Sequence, residues 1–226
     1  MNPLWSDDAG LFALVRRELF TAAVGDVMDK LGLLRQFLSP RIQPLERGMV
    51  VVGRAMTVLA ADLSEEGGAP PDKPFGLLLD ALDDLKPNEV YLATGGSPRY
   101  ALWGELMSVR ARRCGAVGAV LDGYSRDTPA ILSLGFPTFS YGSYAQDQGP
   151  RGRVVDFRVA LEIDGVSVRP GDIVFGDVDG TCIVPRAAEA DVFAAALEKA
   201  RGEQTVRKAI EAGMSATEAF RIYGIL

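Results

Sequence analysis

Hydrophobic and polar positions along the chain switch repeatedly between helical and strand spacing, and the switches mark an α/β order of elements. Leu11, Leu14, Val15 and Leu19 recur on one helical face, and a second start at Thr21 leads into Val24, Val27, Met28 and Leu31 before Gly32. Helix is therefore predicted over Leu11 to Leu34, with Thr21 as a helix cap. Arg41 to Ala60 alternates and then runs apolar, which predicts a pair of strands broken at Gly53. Asp62 to Pro74 is rich in Gly and Pro and reads as a surface loop with room for a flap. Phe75 to Leu85 has an amphipathic period with Leu78, Leu79 and Leu82 inward, and Pro87-Asn88-Glu89 turns it into a buried strand, Val90 to Ala93.

The second half reads as strand-rich. Strands are predicted at Phe136–Ser140, Arg153–Ile163, Ser167–Arg169, Ile173–Phe175 and Thr181–Val184, with Asp164-Gly165 as a hairpin turn. Ala187 to Arg221, rich in Ala, Glu, Lys and Arg, predicts a C-terminal helical arm divided at Gly213. Such an arm commonly packs against another subunit. No repeat or low-complexity block interrupts the chain, so a single domain over 1–226 is expected.

The stretch that reads as chemistry is Trp103 to Pro129. Leu102, Leu106 and Val109, with Met107 beside them, fall at helical spacing; Arg110, Arg112 and Arg113 take the other face until Gly115. Ala116 to Leu121 has no helical period and reads as a buried strand ending at Asp122-Gly123. A helix from Gly104 to Arg113 is about 15 Å long and the strand about 20 Å. A strand returning antiparallel to the helix thus delivers Arg126 and Asp127 close to the helix start at Gly104-Glu105. That start offers unpaired N–H groups and a positive dipole end for a carboxylate or phosphate. Arg126 adds a two-pronged donor, and Asp127 and Glu105 are hard oxygen ligands suited to Mg²⁺ or Mn²⁺. On spacing alone, an Arg-Asp pair after a strand is more often a solvated turn.

Composition narrows the chemistry. The chain has 226 residues, 48% of them hydrophobic, and a formal charge of -6, which suits a soluble globular protein and argues against a general nucleic-acid or anionic-membrane binder. No apolar stretch reaches membrane-spanning length and the N-terminus has no signal-peptide pattern, so a cytoplasmic protein is expected. Cys114 and Cys182 read as reduced core thiols. The sequence has no histidine, which excludes Ser-His-Asp and Cys-His catalysis and His-ligated zinc. Proton transfer falls to carboxylates, Lys, Tyr or metal-bound water.

Gly104-Glu105-Leu106, followed by Arg126-Asp127 inside a G-x-x-G-x-V-x-D-G-x-x-R-D run, resembles the RraA-like family. Thr21 to Gly32, Gly53 to Val58 and the run from Pro170 to Pro185 are similar to further family patterns, so the likeness extends from about Thr21 to the C-terminus. The family includes 4-hydroxy-4-methyl-2-oxoglutarate aldolases, which also decarboxylate oxaloacetate, and ribonuclease E regulators. The resemblance implies a β/β/α swivelling domain, an α/β fold with a mixed sheet flanked by helices. It also implies a homotrimer or hexamer with sites at subunit boundaries, where Asp26 is a candidate for an acid given to a neighbour.

On this reading the substrate is a small 2-oxo acid. Asp127 holds the metal, Glu105 reaches it through water, and Arg126 with the N–H groups of Gly104, Glu105, Leu106 and Met107 holds the carboxylate and developing oxyanion. The family usually has Asp where this chain has Glu105. The alternative is a non-catalytic, protein-binding regulator of a ribonuclease. A class I mechanism would need a Schiff-base lysine, and none of the five lysines sits in a buried strand setting. Asp177 and Asp179 read as turn residues, with a second metal site as the lesser alternative.

Overall fold

The computed structural model describes residues 4–63 and 73–224. Two helices, α1 (Asp8–Glu18) and α2 (Thr21–Lys30), precede β1 (Gln43–Pro44) and the long β2 (Val51–Asp62). There follow α3 (Leu78–Asp83), β3 (Glu89–Thr94), β4 (Ala101–Trp103), α4 (Glu105–Arg113), β5 (Gly118–Leu121), β6 (Tyr124–Ser125) and α5 (Thr128–Leu134). The rest comprises β7 (Thr138–Ser140), β8 (Gly152–Phe157), β9 (Leu161–Ile163), β10 (Val166–Val168), β11 (Ile173–Asp177), β12 (Gly180–Val184), α6 (Glu189–Glu211) and α7 (Ala216–Tyr223).

One mixed sheet runs in the order β1-β7-β5-β3-β2-β11-β12, with β8 also on β2. Its centre, β7-β5-β3-β2, is parallel, while β1, β8, β11 and β12 pair antiparallel. The period-2 rule assigns its two faces. Met56, Val58, Tyr91, Ala93, Ala119 and Leu121 face the core beneath α3, α4 and α5. Val52, Phe175, Cys182 and Val184 continue this face beneath α1, α2 and α6. The alternate positions Val51, Ala55, Val90, Leu92, Val120, Val174 and Ile183 enter a third cluster, closed by the β9–β10 hairpin through Leu161, Ile163, Val166 and Val168. The α/β class, mixed sheet and C-terminal helices thus follow the sequence reading.

Several local readings are corrected. Gly53 does not break a strand: it lies within β2, where a Cβ would come 2.5 Å from the Asn88 carbonyl and 2.6 Å from a Val117 methyl. Glycine is there for close packing. Asp62 closes β2 rather than opening a loop, and residues 64–72, the body of the expected flap, lie outside the described residues. Arg153 to Ile163 is two strands, parted where Arg158 takes a positive φ of 56° and ties its guanidinium to Asp84 and Glu89. Thr21 is not a side-chain cap: its N–H and hydroxyl both donate to Asp177, at 2.8 and 2.6 Å. Asp177 caps α2 from the end of β11 and also accepts from Asp179 N–H, so the turn reading of these acids stands. α5 was not expected; Thr128-Pro129, in its first turn, was the available signal.

The C-terminal arm forms α6 and α7, divided at Gly213 with φ 104°. The first half of α6 packs on this chain's own α1 and α2 through Val192, Phe193, Ala196 and Leu197.

Candidate active site

The local geometry of the site starts with a two-stranded parallel ladder. β4 pairs with β6, with Trp103 opposite Ser125, and Arg126 N–H donates to the Trp103 carbonyl at 2.9 Å. The residues that follow the two strands, Gly104-Glu105 and Arg126-Asp127, therefore leave the ladder side by side. Trp103 anchors this point: its ring packs between Tyr91 and Phe136, and its indole N–H donates to Ser108 Oγ at 2.7 Å. Ser108 in turn donates to the Gly104 carbonyl at 3.1 Å.

α4 then begins at Glu105, with Gly104 as an extended cap that offers no side chain. Asp127 supplies the missing acceptor: its Oδ2 takes the Glu105 N–H at 3.2 Å. Asp127 has a left-handed backbone, φ 58° and ψ 31°, at the start of α5, which turns its carboxylate back toward α4. The Arg126 guanidinium lies between two acids, with Nε 3.6 Å from Asp127 Oδ2 and Nη1 2.8 Å from Asp147 Oδ1.

The structure thus brings Gly104, Glu105, Arg126 and Asp127 together. Glu105 takes part through its backbone, and it is absent from the lining of the adjoining cavity. Asp26 also lies elsewhere: its carboxylate meets Lys199 Nζ at 3.1 Å in a separate groove. Asp147 and Gln148 were missed, because nothing in Ala145-Gln146-Asp147-Gln148 marks it in sequence as more than a polar loop. Their placement is tertiary, since Ala101 N–H donates to the Gln146 carbonyl and Tyr144 N–H to the Ser125 carbonyl, both at 2.8 Å.

The cavity has a volume of about 430 Å³. One end carries Gly104, Arg126, Asp127, Asp147 and Gln148; the wall carries Phe75, Leu78, Leu79, Leu82, Leu102, Trp103, Leu106 and Met107. This corrects three sequence readings. Leu102 belongs to β4 rather than to the helix. Leu79, expected inward, is 61% exposed, and Leu106 and Val109, read as the apolar face of the helix, are exposed too, Leu106 by 80%. α4 instead buries the small Ser108 and Ala111, which let it sit close to the sheet.

The donor set limits what the site can hold. Among the described residues no three Asp, Glu, Cys or His side chains converge as a metal cage. Asp83 is paired with Arg110 at 2.7 Å and Asp147 with Arg126 at 2.8 Å, whereas Asp127 meets Arg126 only at 3.6 Å and through Oδ2, which leaves its Oδ1 as the carboxylate oxygen without a partner among the described residues beside the helix tip. One carboxylate, completed by water and substrate oxygens, fits Mg²⁺ or Mn²⁺ and does not fit a Ca²⁺ or zinc cage. No lysine lines the cavity. Burial acts to lower the Lys199 pKa, but hydrogen bonds to Glu203 and Asp26 hold it above the ordinary lysine value, the reverse of what a Schiff-base lysine needs.

Fold and site together define an α/β protein with a cleft in which an arginine and a carboxylate stand beside a helix N-terminus. The RraA-like family model, described as Aldolase/RraA, matches residues 21–183, and the chain belongs to this family. The "Putative 4-hydroxy-4-methyl-2-oxoglutarate aldolase" of Halalkalibacterium halodurans is 31% identical over 206 residues, covering 90% of each chain. Protein DlpA of Legionella pneumophila is 28% identical over 204 residues, 90% of this chain, which spans about a third (32%) of DlpA's length. The crystal structure of Streptomyces coelicolor RraAS2, titled an unusual member of the RNase ES inhibitor RraA family, matches with a TM-score of 0.76 at 25% identity. That match covers 90% of this chain and 98% of RraAS2.

Proposed function

We propose that the protein is a divalent-metal-dependent class II lyase that releases pyruvate from 4-hydroxy-2-oxo acids, decarboxylates oxaloacetate, or does both. The observation that carries this reading is the placement of Arg126 and Asp127 against the first turn of α4. The aldolase name of the Halalkalibacterium relative supports it.

The substrate carboxylate pairs with the Arg126 guanidinium, while the Leu106 and Met107 N–H groups, which have no intrahelical acceptor, face the developing oxyanion. Both reactions break a bond to C3 and leave its electron pair in a pyruvate enolate, which the positive end of α4 stabilises. Asp127 would hold the cation. A bound Mg²⁺ or Mn²⁺ supplies electron withdrawal from the 2-oxo group. The apolar wall excludes water from the reacting carbon.

Exposed Leu79, Leu106 and Val109 beside the cavity support a homotrimer or hexamer with sites at subunit boundaries. Two free cysteines fit a reducing compartment, and no helix among the described residues is long and apolar enough to cross a membrane. We place the protein in the cytoplasm.

The test is pyruvate release from oxaloacetate with Mg²⁺. Release that stops on adding chelator and returns with excess Mg²⁺ supports the lyase; no release by the metal-loaded protein favours a binding protein without turnover. Trapping of a pyruvate adduct by borohydride would replace the metal mechanism with a Schiff-base one.

A further inference from the structure

The Asp122-Gly123 turn that follows β5 is tied down more fully than a turn requires. β5 lies between β3 and β7 in the sheet, and Asp122 reaches both neighbours. Its Oδ2 accepts from Thr94 Oγ1, at the end of β3, at 2.6 Å, and its Oδ1 accepts from the Tyr141 hydroxyl, just beyond β7, at 2.5 Å. Its N–H donates to the Ala93 carbonyl at 2.9 Å. An Asp-Gly turn needs only its own backbone to form. Here the carboxylate joins the ends of neighbouring strands.

Tyr141 is the centre of this network. Besides its hydroxyl bond to Asp122, its N–H donates to the Gly123 carbonyl at 2.7 Å, and its ring meets the Tyr124 ring edge-on at 5.8 Å. The Arg41 guanidinium lies over the same ring, 4.0 Å from its centroid. The flanking chain continues the pattern: Ser140 Oγ is 3.1 Å from Ser125 Oγ, the Gly142 carbonyl accepts from Ser125 N–H at 3.0 Å, and Asp147 pairs with Arg126. The stretch from Ser140 to Asp147 thus holds every residue from Asp122 to Arg126, and Tyr141 alone holds Asp122, Gly123 and Tyr124. Neither Asp122 nor Tyr141 lines the cavity, so both reach the substrate only through what they hold.

Resting on the lyase reading above, we propose that Tyr141, acting through Asp122, is a positioning residue for the reaction. Together they fix the direction in which the chain leaves β5 and so hold Arg126 and Asp127 at the tip of α4. β6, only Tyr124 and Ser125, is too short to direct itself onto β4. The bond from Tyr141 to Asp122 supplies that direction. A misplacement of about 1 Å in a reacting constellation costs about a hundredfold in rate, so a hydroxyl outside the cavity can govern the chemistry inside it. Burial and the bond to Asp122 push the Tyr141 phenol up to about 12, so it remains a donor across the neutral range.

The experiment compares wild type with Tyr141→Phe, Asp122→Ala, Asp122→Asn and the double variant Tyr141→Phe/Asp122→Ala. Mn²⁺ binding in the presence of pyruvate is read from the free-ion signal in electron paramagnetic resonance. Pyruvate release from oxaloacetate with Mg²⁺ is assayed alongside, and circular dichroism checks folding. Tyr141→Phe is expected to weaken Mn²⁺ binding several-fold and to lower kcat/KM about tenfold. The double variant should be no worse than Asp122→Ala, because the two residues act as one unit. Asp122→Asn, whose amide accepts from one hydroxyl and donates to the other, should recover most of the loss. A folded Tyr141→Phe that binds Mn²⁺ and releases pyruvate like wild type overturns the inference, and this arm decides even if Asp122→Ala fails to fold. Losses that add in the double variant, or an equal loss in Asp122→Asn and Asp122→Ala, overturn it too. Wild type that neither binds Mn²⁺ nor releases pyruvate overturns the lyase reading, and this inference with it.

Discussion

The Oδ2 atom of Asp127 lies 3.2 Å from the backbone nitrogen of Glu105, twenty-two residues earlier in the chain. The same oxygen is 2.7 Å from where a Cβ on Gly104 would stand. A carboxylate therefore fills the space that a side chain at position 104 would take. Gly104 has an extended backbone at φ -153°, so alanine there meets the carboxylate rather than any backbone strain. Gly104→Ala should lower kcat/KM about tenfold or more through a displaced Asp127, while thermal stability stays within a few degrees of wild type. Normal kinetics in this variant would mean that the Asp127 position is not used.

Asp147 holds the Arg126 guanidinium from the side opposite Asp127. Both partners are partly exposed, so the pair is worth about 0.2–1 kcal/mol, and its role is to orient the guanidinium plane. Asp147→Ala should lower kcat/KM a few-fold, and Asp147→Asn, which keeps an acceptor oxygen, should recover most of it. Steady-state kinetics of the two variants decide; an equal loss in both would assign Asp147 a charge role instead.

Asp177 is the cap of α2 in this structure, accepting from Thr21 N–H and hydroxyl. Asp177→Ala should cost about 1–2 kcal/mol by denaturant unfolding, the range of a lost helix cap. Its catalytic metal dependence should match wild type, because neither Asp177 nor Asp179 lines the cavity. A changed Mg²⁺ requirement would restore these acids as metal ligands.

Acid should weaken the fold in a defined window. Burial acts to raise the Asp62 pKa, but hydrogen bonds from Ser97 N–H, Tyr100 and Arg99 outweigh it and bring the carboxyl from the ordinary 3.8 to about 2. A hydrogen bond from Arg54 likewise holds Asp8 below its usual value, and one from Arg158 does so for Asp84. A carboxyl with a folded pKa below the unfolded one gives stability that is full above the unfolded value and lost as pH falls through the folded value. Denaturant midpoints should therefore be steady above about pH 5 and fall between pH 4 and about 2. The fall should be shallower in Asp62→Asn, and an unchanged slope in that variant would remove Asp62 from the explanation.

Sequence periodicity revealed the elements better than their outward faces. The α/β order, the Asp164-Gly165 hairpin and the Gly213 break were legible because each depends on local spacing or a local turn. The outward Leu79 and Leu106 were not, because periodicity marks an apolar face without saying what covers it. The meeting of Arg126-Asp127 with Gly104-Glu105 could be argued from two element lengths. Its physical cause, the short β4–β6 ladder, is only three and two residues long and leaves no period to detect. Asp147 and Gln148 were illegible for a related reason: loop-to-strand backbone bonds place them, and any sequence can make those bonds.

The most direct test of the central claim is the rate of pyruvate release from oxaloacetate with Mg²⁺, measured side by side for wild type, Arg126→Ala and Asp127→Ala. Loss of an anion clamp or of a metal-holding carboxylate is expected to lower kcat/KM by about a hundredfold or more, with folding retained by circular dichroism. Chelator should reduce wild type to the same floor. Wild type and both variants releasing pyruvate at one common rate would contradict the account, because the couple beside α4 would then have no part in the chemistry.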